Sequence, residues 1–315
     1  MTLSFFGPLL FAGEDRVAER CEFTHPQVRT WSGKDFLRLR RDPSGKPVAL
    51  ETAIVRFAGI PTQGRQAAST QSRVPTTQRH VEVDLIGVVH LADPGYFRFL
   101  NNHFRQYEAV LYELVAPPEA RFAPGEAPWD ASWWGIVQRI VTGMLGLQFQ
   151  LDGVNYKAAN FVHADMTPEE FHRTMRDRGE SSWQIVVRAI AQALEQGQPA
   201  GPGFDELWKA LQLRGIQRQL ALRRWAAEQF GDLELAIRAV EGPQGSTILS
   251  ERNKVALVVL RRELNDGKRK LAIFYGAAHM PDLANRLQAE FGLKAESCLW
   301  LTAWDLSDPP VNGQK

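Results

Sequence analysis

The sequence predicts an α/β fold: a central, mostly parallel β-sheet formed by N- and C-terminal segments, flanked by helices, with a helical insert and an N-terminal β-hairpin. Three observations predict it. The runs at residues 109–115 and 271–276 are nearly all apolar, and the run at 81–89 starts as an alternating strand and ends nearly all apolar, as strands covered on both faces become. Helix-length patterns opened by prolines, Pro94 and Pro281, follow two of these runs, as crossover helices do. Between the early and late strands lies a long stretch of 3.6-residue periodicity.

Composition agrees with this class. The 315 residues, 44% hydrophobic and 23% charged, suffice for a real core, and we read residues 1–315 as a single α/β domain, although such domains more often stop near ~250 residues. Lys plus Arg number 37 against 36 Asp plus Glu, for a net charge of +1. That balance favours neither nucleic acid nor an anionic membrane as the main partner; a nucleic-acid site asks for a clustered basic footprint, and the basic runs at 38–41, 223–224 and 261–262 have acids nearby. Cys21 and Cys298 form neither a disulfide framework nor a Cys-rich zinc site. They are expected to be buried thiols, with one bridge between them as the alternative. The apolar start at residues 3–12 lacks the basic region of a leader and is too short for a bilayer, which needs about 20 residues. It is expected to be a first strand or a packed arm. No transmembrane segment is expected, and a cytoplasmic location is favoured over a secreted or periplasmic one.

In chain order, residues 36–40 and 48–58 flank the turn Asp42-Pro43-Ser44-Gly45-Lys46-Pro47 and predict the β-hairpin. Residues 61–79, rich in Gln, Thr and Ser, are expected to be a flexible loop. Residues 81–89, a helix over 94–106 and residues 109–115 make a βαβ unit. Residues 119–245 are the helical insert. Within it Trp133, Ile136, Val137, Ile140 and Val141 keep the helical period, Thr167-Pro168-Glu169-Glu170 is a capping box, Gly and Pro at 196–203 interrupt, and 207–230 resumes as helix. Then come a helix over 247–264 stopped by Asn265-Asp266-Gly267, the strand 271–276, a helix over 281–291 ended by Gly292, and a last strand at 299–304.

The chemistry gathers at one address. Strand 81–89 ends in Gly87-Val88-Val89-His90, strand 271–276 in Gly276-Ala277-Ala278-His279, and strand 109–115 carries Glu113. Ligands of open α/β sheets bind outside the carboxyl ends of the strands. A glycine there lets backbone or ligand approach closely. A carboxylate inside an apolar run calls for a partner. Arg252 and Asn253 fall on the apolar side of their helix, where a guanidinium needs an acid or an anion. His163, Asp165 and Tyr156 are further candidates for binding substrate, whereas His25, His80, His103 and His172 are expected to be solvated. Nine tryptophans, Trp129, Trp133 and Trp134 among them, pack a helical core or line a cavity. Serine-hydrolase elbow, zincin, P-loop and dinucleotide fingerprints are absent from the sequence.

Ile86-Gly87-Val88-Val89-His90 followed by Leu111-Tyr112-Glu113-Leu114 resembles the opening of TraB/TIKI/GumN proteins. Ser250-Glu251-Arg252-Asn253 and Tyr275-Gly276-Ala277-Ala278-His279-Met280-Pro281 resemble their closing half. That family groups with erythromycin esterases and a haem-binding lipoprotein. The resemblance implies a metal-dependent peptidase site at His90, Glu113 and His279, supported by Arg252 or Asn253.

Two imidazoles and a carboxylate suit a divalent transition ion such as Mn, Co, Fe or Zn, with Arg252 facing a developing oxyanion. The expected function is therefore a metal-dependent, peptidase- or esterase-like hydrolase of a peptide or small molecule. A version without metal uses His90 as general base, oriented by Glu113. The alternatives are a small-ligand or haem-binding protein and a regulatory protein with a degenerate site.

Overall fold

The computed structural model describes residues 18–22, 29–61, 80–126, 142–179, 204–240 and 246–309. The expectations for the apolar start, for nearly all of the 61–79 loop, for the tryptophans at 129, 133 and 134 and for the break at 196–203 lie outside these residues.

The architecture is α/β. The strands of the main sheet are β1 (Ala18–Glu22), β2 (Leu37–Arg41), β3 (Pro47–Gly59), β4 (Val81–Val88), β6 (Ala109–Tyr112), β8 (Phe161–His163), β9 (Lys270–Gly276) and β10 (Lys294–Asp305). A separate two-stranded ladder joins β5 (Leu91–Ala92) to β7 (Gln148–Phe149). The main sheet runs β1-β10-β3-β4-β9-β6-β8, with β2 on β3. It is mixed. The half that carries the site, β4-β9-β6-β8, is parallel throughout, and the remaining pairings are antiparallel.

The parallel half is buried on both faces, which is why its strands are largely apolar; exceptions include Glu82 and Asp84 at the start of β4, the latter paired with Arg56. On β4, Ile86 and Val88 enter a first core while Val83 and Leu85 enter a second. On β9 the split is Ala272 and Phe274 against Ile273 and Tyr275. The helix α1 (Pro94–Phe104) gives Tyr96, Phe97, Leu100 and Phe104 to the first core. The second is closed by two helices, α5 (Arg252–Asn265) and α6 (Met280–Phe291), through Leu257, Leu260, Leu283 and Leu287. Phe274 is fully buried, and its truncation to alanine would cost about 3–5 kcal/mol.

Local chemistry sets several boundaries where the sequence places them. In the hairpin turn, Asp42 Oδ1 accepts from the backbone N–H groups of Ser44 and Lys46, at 2.9 and 3.1 Å. The capping box opens α2 (Pro168–Asp177): Thr167 Oγ1 accepts from Glu170 N–H, and Glu170 accepts from Thr167 N–H. Gly292 ends α6 in the left-handed region, at φ 69°. The insert continues with α3 (Phe204–Gln212) and α4 (Gly215–Val240).

Three expectations change. The last strand is longer than residues 299–304, because β10 pairs with both β1 and β3 along its length. Cys298 is disulfide-bonded rather than a buried thiol. Cys21 is the only other cysteine, and it is the register partner of Cys298 across the β1–β10 ladder. His103 is half-buried rather than solvated. It stacks on Phe99 and meets Tyr107, whose hydroxyl donates to Asp84, and burial pushes its pKa down to about 4. Among the described residues, no helix is long and apolar enough to cross a membrane.

Candidate functional site

Register brings the site together. Val88 of β4 pairs with Gly276 of β9, and Tyr112 of β6 pairs with Phe274 of β9 and His163 of β8. The parallel strands therefore end at one edge, and His90, Glu113, His163 and His279 emerge there. Gly276 marks the meeting point. A Cβ at that position would lie 3.3 Å from Glu113 Oε2, 3.8 Å from His279 Cδ2 and 4.0 Å from His90 Nε2. Gly87 does a different job. Its missing side chain leaves room for Met280 and the backbone of Ala277, which a Cβ would meet at 3.4 and 3.6 Å.

Glu113 is the most heavily bonded group. Its Oε1 accepts from Arg252 Nη2 at 2.7 Å, and its Oε2 accepts from Gly276 N–H at 2.6 Å. His279 Nε2 stands 3.4 Å from Oε1. Burial opposes ionisation of Glu113, but the Arg252 charge, with His279 and His90, outweighs it and holds the carboxyl well below the usual carboxylate range. Arg252 also grips Asp165 with two bonds, from Nε at 2.9 Å and from Nη2 at 2.6 Å. The guanidinium is thus committed to two carboxylates, a geometry that suits its planar fork. The oxyanion role expected of Arg252 gives way to one of fixing and ionising Glu113.

The two imidazoles are oriented by side-chain amides. Asp282 accepts from Asn253 Nδ2 at 2.8 Å. A carboxylate only accepts, so Asn253 turns Oδ1 to His279 Nδ1, at 2.7 Å, and Nδ1 carries the proton. On the other side Gln150 donates from Nε2 to the Tyr156 hydroxyl at 2.8 Å and faces His90 Nδ1 with Oε1 at 2.9 Å. The β5–β7 ladder places Gln150 there, and its N–H donates to the His90 carbonyl at 2.8 Å. Both Nε2 atoms are directed toward Glu113 and Gly276. His90 is solvent-exposed, while His279 is buried.

The remaining candidates take supporting positions. Asn253 positions His279, Asp165 anchors Arg252, and Tyr156 is buried behind Gln150, with burial pushing its hydroxyl pKa up. His163 turns away, donating from Nε2 to the Leu114 carbonyl at 2.7 Å. Three residues escaped the sequence: Gln150; Asp282; and Tyr275, whose hydroxyl donates to the Ala164 carbonyl. Asp282 had a faint signal, lying three residues after His279 on the following helix.

The expected metal ligands fit by type and not by arrangement. His90 and His279 present Nε2 atoms, but both Glu113 oxygens already accept hydrogen bonds, one from a guanidinium. Among the described residues, no group of three or more His, Cys, Asp or Glu side chains is arranged to hold a metal ion. A cleft of about 1020 Å³ lies elsewhere, between the hairpin turn, the start of α4 and the end of β10. It contains none of the site residues.

No family model, no curated protein and no solved structure matches this chain.

Proposed function

We propose that the chain is a hydrolase of ester or amide bonds in a small molecule or peptide, with His90 as general base. The observation that supports this most is the meeting of His90 Nε2, Glu113 Oε2 and the His279 ring at Gly276. The resemblance to TraB/TIKI/GumN proteins points the same way. In the reaction His90 Nε2 takes a proton from a water as its oxygen attacks the acyl carbon. Glu113, kept ionised by Arg252, stabilises the imidazolium formed on His90. That proton then passes to the departing alcohol or amine, leaving a carboxylic acid and a neutral base. Gln150 keeps the His90 tautomer correct throughout, since a base with its proton on Nε2 could not act. No step here runs through a metal. An exported location fits this reading, because a bond at Cys298 persists in oxidising compartments.

The test is a panel of acyl nitrophenyl esters and short peptides, incubated with wild-type and His90→Ala protein, with and without a chelator. General-base catalysis is worth on the order of 10²–10⁴-fold, and the variant should lose that much. A variant as active as wild type would sink the proposal. A wild-type rate abolished by chelator and restored by Mn, Co, Fe or Zn would replace it with the metal-dependent route.

A further inference from the structure

Five of the large hydrophobic side chains that stand exposed among the described residues, Met144, Trp208, Leu211, Leu213 and Ile216, belong to one part of the helical insert. Trp208 is 59% and Ile216 61% exposed. They sit on the hairpin of α3 and α4, whose turn passes through Gly215 at φ 56°. On α3 the inward positions are Leu207 and Ala210, packed on the core. Trp208 and Leu211, three residues apart, share the outward face. Met144 is two residues from Gly146, which packs against Gln219 on the first turns of α4.

Charge near the turn of this hairpin is one-sided. Residues 207–227 contain Lys209, Arg214, Arg218, Arg223 and Arg224 and no carboxylate. Arg223 pairs with Asp93 and Arg224 with Asp308. Lys209, Arg214 and Arg218 have no carboxylate partner among the described residues; Arg218 Nε donates to the Leu213 carbonyl. Asp205 and Glu206 stand at the start of α3, before the apolar stripe. A tip that interleaves an exposed Trp and aliphatic chains with cations lacking carboxylate partners matches the interfacial layer of an anionic bilayer. There Trp sits at headgroup level and Lys and Arg reach the phosphates.

We propose that the tip of the α3–α4 hairpin is a docking surface for anionic phospholipid membranes, inserting Trp208, Leu211, Leu213 and Ile216 peripherally while Lys209, Arg214 and Arg218 contact headgroups. This does not depend on the hydrolase reading, because no site residue is involved.

The test is flotation of the full chain with vesicles of phosphatidylcholine alone, or mixed with phosphatidylglycerol. Binding to the anionic vesicles should exceed binding to the neutral ones by at least ~tenfold and weaken with salt. The Trp208→Ala/Ile216→Ala protein should lose roughly tenfold or more of that binding, with its thermal unfolding unchanged. The Lys209→Gln/Arg214→Gln protein should lose the preference for anionic lipid. No binding to anionic vesicles, or undiminished binding by the Trp208→Ala/Ile216→Ala protein, overturns the proposal. So does a light-scattering result in which wild type is a dimer and that double variant a monomer, since the patch would then be a contact between copies.

Discussion

Arg252 Nη2 and Glu113 Oε1 lie 2.7 Å apart, although 139 residues separate them in the chain. The same guanidinium holds Asp165, so one cation from the C-terminal half ties down two carboxylates from earlier in the sequence. Asp165 has no solvent exposure at its side chain, and Glu113 has 11%. Replacing Arg252 by methionine leaves both charges desolvated and unpaired. Breaking a buried pair in this way costs about 3–5 kcal/mol. The urea midpoint of Arg252→Met should fall accordingly, and an unchanged midpoint would contradict the ion-pair geometry.

Acid sensitivity follows from Glu113. Folding lowers its pKa below the ordinary carboxylate value, through the charge of Arg252. A depressed carboxylate contributes stability that is fully present above the unfolded pKa and is lost as pH falls through the folded one. Stability should therefore decline below about pH 4.5, and Glu113→Gln should flatten that decline. Stability profiles by chemical denaturation from pH 3 to 7, compared between the two proteins, check it.

Gly276→Ala places a methyl group 3.3 Å from Glu113 Oε2 and 4.0 Å from His90 Nε2. It fills the point that the water and acyl carbon need. Hydrolysis should drop by roughly tenfold or more, since small misplacements at a reacting centre carry that scale of penalty. The measurement is kcat/KM beside far-UV circular dichroism, which should be unchanged.

Gln150 is a positioning residue. Gln150→Leu frees the His90 ring to rotate and to change tautomer. Loss of an outer partner of a working histidine typically costs 10–100-fold, about the loss expected in kcat here, with KM little changed. A rate equal to wild type would remove Gln150 from the account.

The bond at Cys298 ties the β1–β10 edge. Removing a native disulfide typically costs 2–5 kcal/mol, so Cys298→Ser should lose roughly that stability. Thiol titration of the unfolded, unreduced wild-type protein should find no free thiol. Two free thiols would show that the bridge does not form.

Much of this architecture is legible in the sequence. The parallel half is visible because strands covered on both faces become apolar runs, and the prolines at 94 and 281 mark where helices follow. The Gly-x-x-His repeats reveal the shared edge because each glycine packs closely against a neighbour there, Met280 or Glu113. The inward placement of Arg252 and Asn253 follows from helical period alone, and both are buried.

Gln150 is not legible. It reaches His90 through a two-residue ladder, too short to leave a pattern. The antiparallel half is harder for the same reason as the disulfide. Pairing β10 with β1 joins chain ends nearly 280 residues apart, and no local signal encodes such a register. His103 is misread because an amphipathic ring on a helix looks solvated until Phe99, Tyr107 and Asp84 close around it.

The central claim is that side-chain amides hold the protons of both site histidines on Nδ1 and turn both Nε2 atoms to the same point. Long-range proton–nitrogen correlation spectra of histidine-labelled protein, assigned with His90→Gln and His279→Gln variants, measure this directly. The account predicts a proton on Nδ1 of both His90 and His279 at neutral pH. A bare Nδ1 with the proton on Nε2, at either residue, would contradict it.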